Sequence, residues 1–424
     1  MSKANQKTSA NVTAASGNVF RFTLSGLIIF SLALMAGTAF VDNKIFESHP
    51  RKLADTFAVD PNDKSRSVRV GPWGELVTRD VILERPAELV TGEATTLGPE
   101  TWTFKNMNSA AVKRLLAKTA LSPAQITALF ASGTVSEDTS GTVLQPAPEF
   151  ILSLDASTRQ NLCAGLAGLG VNEHLDFPLF FPQKIIQSIY ADDQLAAEDV
   201  ECLKKLTYLN GDVTMLANYQ TLMEQIPTPE RRVAMARALS RQAAVFAGLS
   251  IKPETDIDKI AAYWGHLDGV RFNDIRPMLE ALVRLPEGGN LSLFYLLPKF
   301  ARDRLYTFPL PPQPGDPYMD CNWTTYNFLN EAVTGQLGNS TNLVGFLNAN
   351  YYPIQAPSVC GDILLLMNNN QILHSAVYLA DDLVFTKNGG GINQPWMLMH
   401  IPDLLVSYHA NPPLQIVYMR QKTN

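Results

Sequence analysis

The chain has 424 residues, 46% hydrophobic and 17% charged, so it can bury a sizeable core and has room for two domains. Its net charge is −6, acids and bases are well mixed, and no basic run occurs. Nothing in this pattern signals a polyanion-binding surface, and nucleic acid is not an expected partner.

Residues 1–21 are rich in Ser, Thr, Asn and Ala and are expected to form a disordered cytoplasmic leader. Residues 22–41 carry no charge, and about 20 residues of helix span roughly 30 Å, the thickness of a bilayer core. Lys3, Lys7 and Arg21 precede the stretch, whereas Asp42, Lys44 and Glu47 follow it. This asymmetry predicts a cytoplasmic N-terminus, with the rest exported to a periplasmic or extracellular side. The segment reads as a transmembrane signal anchor, favoured by its length, or as a signal peptide cut near Gly37-Thr38-Ala39 that releases a secreted protein.

Residues 43–105 are expected to be irregular, with two short strands over 67–83 around Gly71-Pro72-Trp73-Gly74. Residues 106–300 read as an irregular all-helical domain. Ser122-Pro123-Ala124-Gln125 has the form of a capping box. Thr228-Pro229-Glu230 opens a helix that the apolar spacing of Val233, Met235, Ala236, Leu239, Ala243 and Val245 carries to about Phe246. Lys252-Pro253-Glu254 opens another. Cys163 and Cys202 both fall in helical stretches, where they either pair as a disulfide or serve as small buried apolar residues.

The proline-dense run Pro309 to Pro317 suits an extended connector and leads into a C-terminal domain, residues 301–424. Here a helix over about 322–333 is followed by a Gly/Asn-rich loop. Strands are expected near 362–368, 372–379, 383–388 and 414–420, with a short helix around 402–408. The expected fold class is therefore α+β: a membrane helix, an all-helical middle, and a final helix with an antiparallel sheet.

Asp320-Cys321 opens the helix expected over about 322–333. A cysteine at a helix start is acidified by the helix dipole, and His374, at the start of a strand, can hold the thiolate as an ion pair. That pairing makes a thiol a nucleophile toward amides and esters. Asp320 caps the helix or positions the site. Gly361-Asp362 turns the chain sharply into the first strand, and Tyr378 either lines the cleft or belongs to the core. His400 and His409 lack such context and read as surface or packing residues. Neither HExxH nor CxxC occurs, so no metal and no cofactor is signalled.

The order Asp320-Cys321, Gly361-Asp362, His374-Ser-Ala-Val-Tyr378 and then Val384-Phe-Thr386-Lys387-Asn388 resembles the NlpC/P60 group of papain-like cysteine peptidases and amidases. The resemblance covers the last quarter of the chain. It implies a papain-like domain in which Cys321 attacks an amide carbonyl, His374 carries the proton, and a polar residue on the next strand orients the ring. Thr386 holds the matching position, a departure from the group's usual His, Asn or Gln. Asn388, two residues on and hence on the same strand face, is the first choice for the orienting acceptor and Thr386 the second; Lys387 points to the other face. Asn322-Trp323 replaces the small residues that commonly follow the cysteine and marks a divergent branch. The implied function is a membrane-anchored thiol hydrolase acting on cell-wall peptides of peptidoglycan. A catalytically inactive domain used for binding or scaffolding stays open. So does a thiol acyltransferase, with the apolar residues 343–347 as an acyl groove or as core.

Overall fold

The computed structural model describes residues 66–422 apart from Leu97, Phe177, Ser358, Asn370 and residues 266–271, 330–339 and 409–413. The expected leader (1–21), the membrane or signal segment (22–41) and the start of segment 43–105 lie outside the described residues, as does His409. The described part opens with a hairpin of β1 (Arg66–Gly71) and β2 (Gly74–Leu83), closed at Pro72-Trp73. Glycine is needed at 71, where a Cβ would stand 2.4 Å from the Trp73 ring.

The all-helical middle domain is corrected by the strands that interrupt it. β3 (Trp102–Lys105), β4 (Thr134–Asp138) and β5 (Gly141–Gln145) form one three-stranded antiparallel sheet. β6 (Leu179–Pro182), β7 (Tyr208–Asn210) and β8 (Val213–Leu216) form another. These strands are too short to register an alternation among genuine helices. Their turns are local: Asp138 accepts from the N–H groups of Ser140 (2.7 Å) and Gly141 (3.2 Å) to close β4 onto β5.

The helix opened by Thr228 runs only over Pro229–Leu239. Ala243 and Val245, read as helical positions, belong to β9 (Gln242–Ile251), which with β10 (Gly289–Ser292) completes a sheet of order β1-β2-β9-β10. β9 is buried on both faces, and an unbroken apolar run reads equally well as buried helix or buried strand. The long pairing with β2 decides for strand. The fold is thus mixed α+β through the whole described length. Among the described residues no helix is long and apolar enough to cross a membrane, so the expected membrane helix is not an element of it.

The C-terminal region carries β11 (Tyr351–Ile354), β12 (Ile363–Asn368), β13 (Gln371–Ala380), β14 (Leu383–Lys387), β15 (Trp396–His400) and β16 (Gln415–Gln421). They form an antiparallel sheet of order β11-β16-β12-β13-β14-β15. One face buries Val377, Phe385, Trp396 and Leu398 in a core shared with Leu249, Trp264, Leu296 and Trp323. The other buries Leu364, Leu366, Ala376, Val384 and Met397 under Leu404 of the helix Ile401–Ser407.

His400 joins the two large sheets. Its Nδ1 is 2.8 Å from Asp382 Oδ1, and its Nε2 is 3.6 Å from Asp80 Oδ1 on β2. The hydrogen bond to Asp382 raises the His400 pKa above its ordinary 6.5. A raised folded pKa stabilises the fold fully below about 6.5 and less as pH climbs through the raised value. His400→Gln is therefore expected to cost about 0.5–1 kcal/mol near pH 5.5 and less near pH 8.5. Urea unfolding at the two pH values checks this, and an equal cost at both contradicts it.

Candidate active site

Asp320 adopts an extended conformation (φ −92°, ψ −170°), and its carboxylate accepts from the Trp323 N–H at 2.8 Å, capping the helix Cys321–Asn327. Seven residues are too few for a helix to persist alone. Packing holds it. Trp323 and Phe328 are both fully buried, worth about 2–3 kcal/mol apiece, and Phe328 meets Phe385 with ring centres 5.4 Å apart. Trp396 Nε1 donates to Thr324 Oγ1 at 3.0 Å, and the Ser375 hydroxyl donates to Asn322 Oδ1 at 2.9 Å. The Asn322-Trp323 pair that departs from the resembled group thus has its own work, fastening the helix to the sheet.

Ser375 points to the helix side of β13, so His374, its neighbour in the strand, points to the opposite side. The paired register of β13 with β14 stops at Val377 opposite Phe385, and the strands part toward His374 and Lys387. The Cys321 sulfur enters this parting and accepts from the Ser375 backbone N–H. The thiol therefore sits beside the peptide unit that joins His374 to Ser375, while the imidazole occupies the far face. There the ring stacks on Tyr408, with centres 4.3 Å apart.

The protonation of His374 follows from its partners. Its Nε2 is 2.9 Å from Thr386 Oγ1, and that hydroxyl donates its single hydrogen to Asn388 Oδ1 at 3.2 Å. Thr386 can then only accept, so Nε2 carries the proton. Nδ1 is left as a bare lone pair, buried and without a hydrogen-bond partner. Both candidates for the orienting residue take part, with Thr386 in contact with the ring and Asn388 behind it.

Burial sets the charges. It pushes the Cys321 thiol up to about 12, with Asp320 adding to the effect, and pulls His374 down to about 3. The expected thiolate–imidazolium pair is accordingly not the resting state; thiol and imidazole are both neutral. The magnitudes explain the reversal. Raising Cys321, 5% exposed, from 9.0 to about 12 is worth about 4 kcal/mol, against about 0.3–1 kcal/mol from a helix terminus.

Lys387 lies on the helix side of β14. It is fully buried, and its amine donates to the carbonyls of Gly389 (2.6 Å) and Gly391 (3.1 Å). Gly389, at φ +106°, makes the turn that brings those carbonyls back over the amine.

Gly361, Asp362 and Tyr378 lie apart from this cluster. Tyr378 is four residues along β13 from His374, about 13 Å at strand rise. Gly361, at φ +97°, donates its N–H to Tyr378 O at 2.9 Å, and the buried Asp362 carboxylate binds Arg420 of β16 twice, at 2.8 and 2.7 Å. They register strands. None of the four cysteines is joined in a disulfide, neither Cys163 with Cys202 nor Cys321 with Cys360. Among the described residues no group of His, Cys, Asp and Glu is arranged to hold a metal ion.

Sequence reasoning missed Tyr408 and the Ser375 amide. The i, i+4 spacing of Leu404 and Tyr408 is a signal for the first, since it sets the ring on the helix face that covers the sheet. Backbone donors leave no sequence signal. Comparison with known protein families, curated proteins and solved structures gives no match.

Asp362→Ala removes both bonds from the buried carboxylate to Arg420 at the sheet and is expected to cost about 2–3 kcal/mol of stability while Cys321 reactivity in the folded protein stays unchanged. Denaturant unfolding together with thiol labelling checks both halves.

Proposed function

We propose that the chain is a thiol hydrolase that cleaves an amide bond through Cys321, of the NlpC/P60 kind that its C-terminal motifs resemble, with peptidoglycan stem peptides as the substrate class. The carrying observation is the bare Nδ1 of His374, buried without a partner and held in that tautomer by Thr386 and Asn388. Nucleophilic catalysis requires an oriented, unprotonated base, which Nδ1 is, and a thiol that reaches it; Sγ, bonded to the Ser375 N–H, has to close on Nδ1 before the proton moves. Cys321 Sγ gives its proton to Nδ1 as it attacks the carbonyl. His374 returns that proton to the leaving amine, and water then hydrolyses the thioester. The neutral resting pair makes this a general-base attack rather than attack by a preformed thiolate.

A second reading, a binding domain without catalysis, is favoured by the burial of Cys321 and His374, which leaves little room for a substrate until Tyr408 moves aside. The acyltransferase reading loses its groove, since Leu343 and Leu347 pack in the core with Ile363, Leu365 and Met419.

Incubation with labelled stem peptides, followed by mass spectrometry of cleavage products and of acylated Cys321, separates the two. Hydrolysis is expected to vanish in Cys321→Ala, to fall about 100-fold or more in His374→Asn, and to fall about tenfold in Thr386→Val. Cleavage that survives Cys321→Ala removes the thiol-hydrolase reading. Binding without cleavage or acylation establishes the second one.

A further inference from the structure

A fully buried lysine is rare and calls for compensation. Lys387 meets that need with two backbone carbonyls, but an ammonium has three N–H donors, and the third has no hydrogen-bond partner among the described residues. The ionisable groups facing the amine are the Cys321 thiol and the Asp320 carboxyl, both at the start of the capped helix. The amine also lies 5.5 Å from the ring centre of Trp396, whose indole N–H is bonded to Thr324 of that same helix. Lys387 therefore shares with Cys321 the sheet face that His374 does not.

We propose that the Lys387 ammonium is the charge partner of the Cys321 thiolate. When Sγ gives its proton to His374 Nδ1, the anion left on sulfur is held by the ammonium and the Ser375 N–H from the helix side, while the imidazolium forms on the other side. The division of labour follows from strand alternation: Thr386 turns to the base, and Lys387, the next residue, turns to the nucleophile. Burial lowers the lysine pKa to about 8, which leaves the amine mostly charged at neutral pH. The inference rests on the thiol-hydrolase reading, because a thiolate has to form, yet its readout needs no substrate.

The test is peptide-resolved labelling of the full chain with methyl methanethiosulfonate at neutral pH, with the partly exposed Cys202 as internal reference. Lys387→Met is expected to slow labelling at Cys321 about tenfold or more with Cys202 unaffected, and Lys387→Arg to recover most of the rate. Wild-type rates in Lys387→Met overturn the proposal. So does Lys387→Arg labelling as slowly as Lys387→Met while folded, since packing rather than charge would then be responsible. Should Lys387→Met fail to fold, the pH dependence of Cys321 labelling in the wild-type chain decides. The rate is expected to climb with pH and then level off as the amine loses its charge near pH 8; a rate that keeps climbing about tenfold per pH unit through that range overturns the pairing. Loss of peptide hydrolysis alone, with the labelling effect intact, removes the proposed function and leaves the pair standing.

Discussion

The bond between Ser375 and Asn322 sets everything else about this site. It fixes the helix Cys321–Asn327 on one face of the six-stranded sheet, and strand alternation then sends His374 to the other. A cysteine and a histidine on opposite faces can meet only where the sheet is open. The parting of β13 from β14 beyond Val377 provides that opening, and the Ser375 N–H, freed there from strand pairing, receives the sulfur.

Burial governs the electrostatics, and it opposes charge on both partners. The cap by Asp320 steadies the helix but places a carboxyl beside the sulfur, so the residue that builds the site also discourages the thiolate. Two features offset this. The Thr386–Asn388 chain fixes a single imidazole tautomer, and Lys387 brings a cation to the sulfur side. Both come from one strand end, and the loop after it is anchored from afar, since Arg85 bonds Asn393 and Glu93. The N-terminal part of the fold thereby helps hold the strand end on which the candidate chemistry depends.

Local chemistry is what the sequence conveys best. The Ser122–Gln125 box and the Asp320 cap are readable as patterns because their partners lie three residues away. β12, β13 and β14 fall within a residue or two of the stretches marked by alternation and turn residues. Long-range pairing is what it conceals. The apolar run of β9 becomes strand only through β2, far away in the chain, and short strands such as β7 leave no period to detect. In the site, residue types identify Cys321, His374, Thr386 and Asn388. The face each occupies and the neutral state of the pair depend on packing that the sequence does not display. Asp362 shows the converse: a residue placed by motif near the chemistry is occupied by Arg420 at the far end of the strands.

The central claim is that His374 rests neutral, with its proton on Nε2 and a bare, buried Nδ1. Nitrogen-15 chemical shifts of the labelled imidazole, followed from about pH 5 to about pH 8, test it most directly. The account predicts an Nε2–H shift and an unprotonated Nδ1 shift that stay constant across the range. An imidazolium appearing near the ordinary histidine pKa of about 6.5, or a proton found on Nδ1, would contradict it.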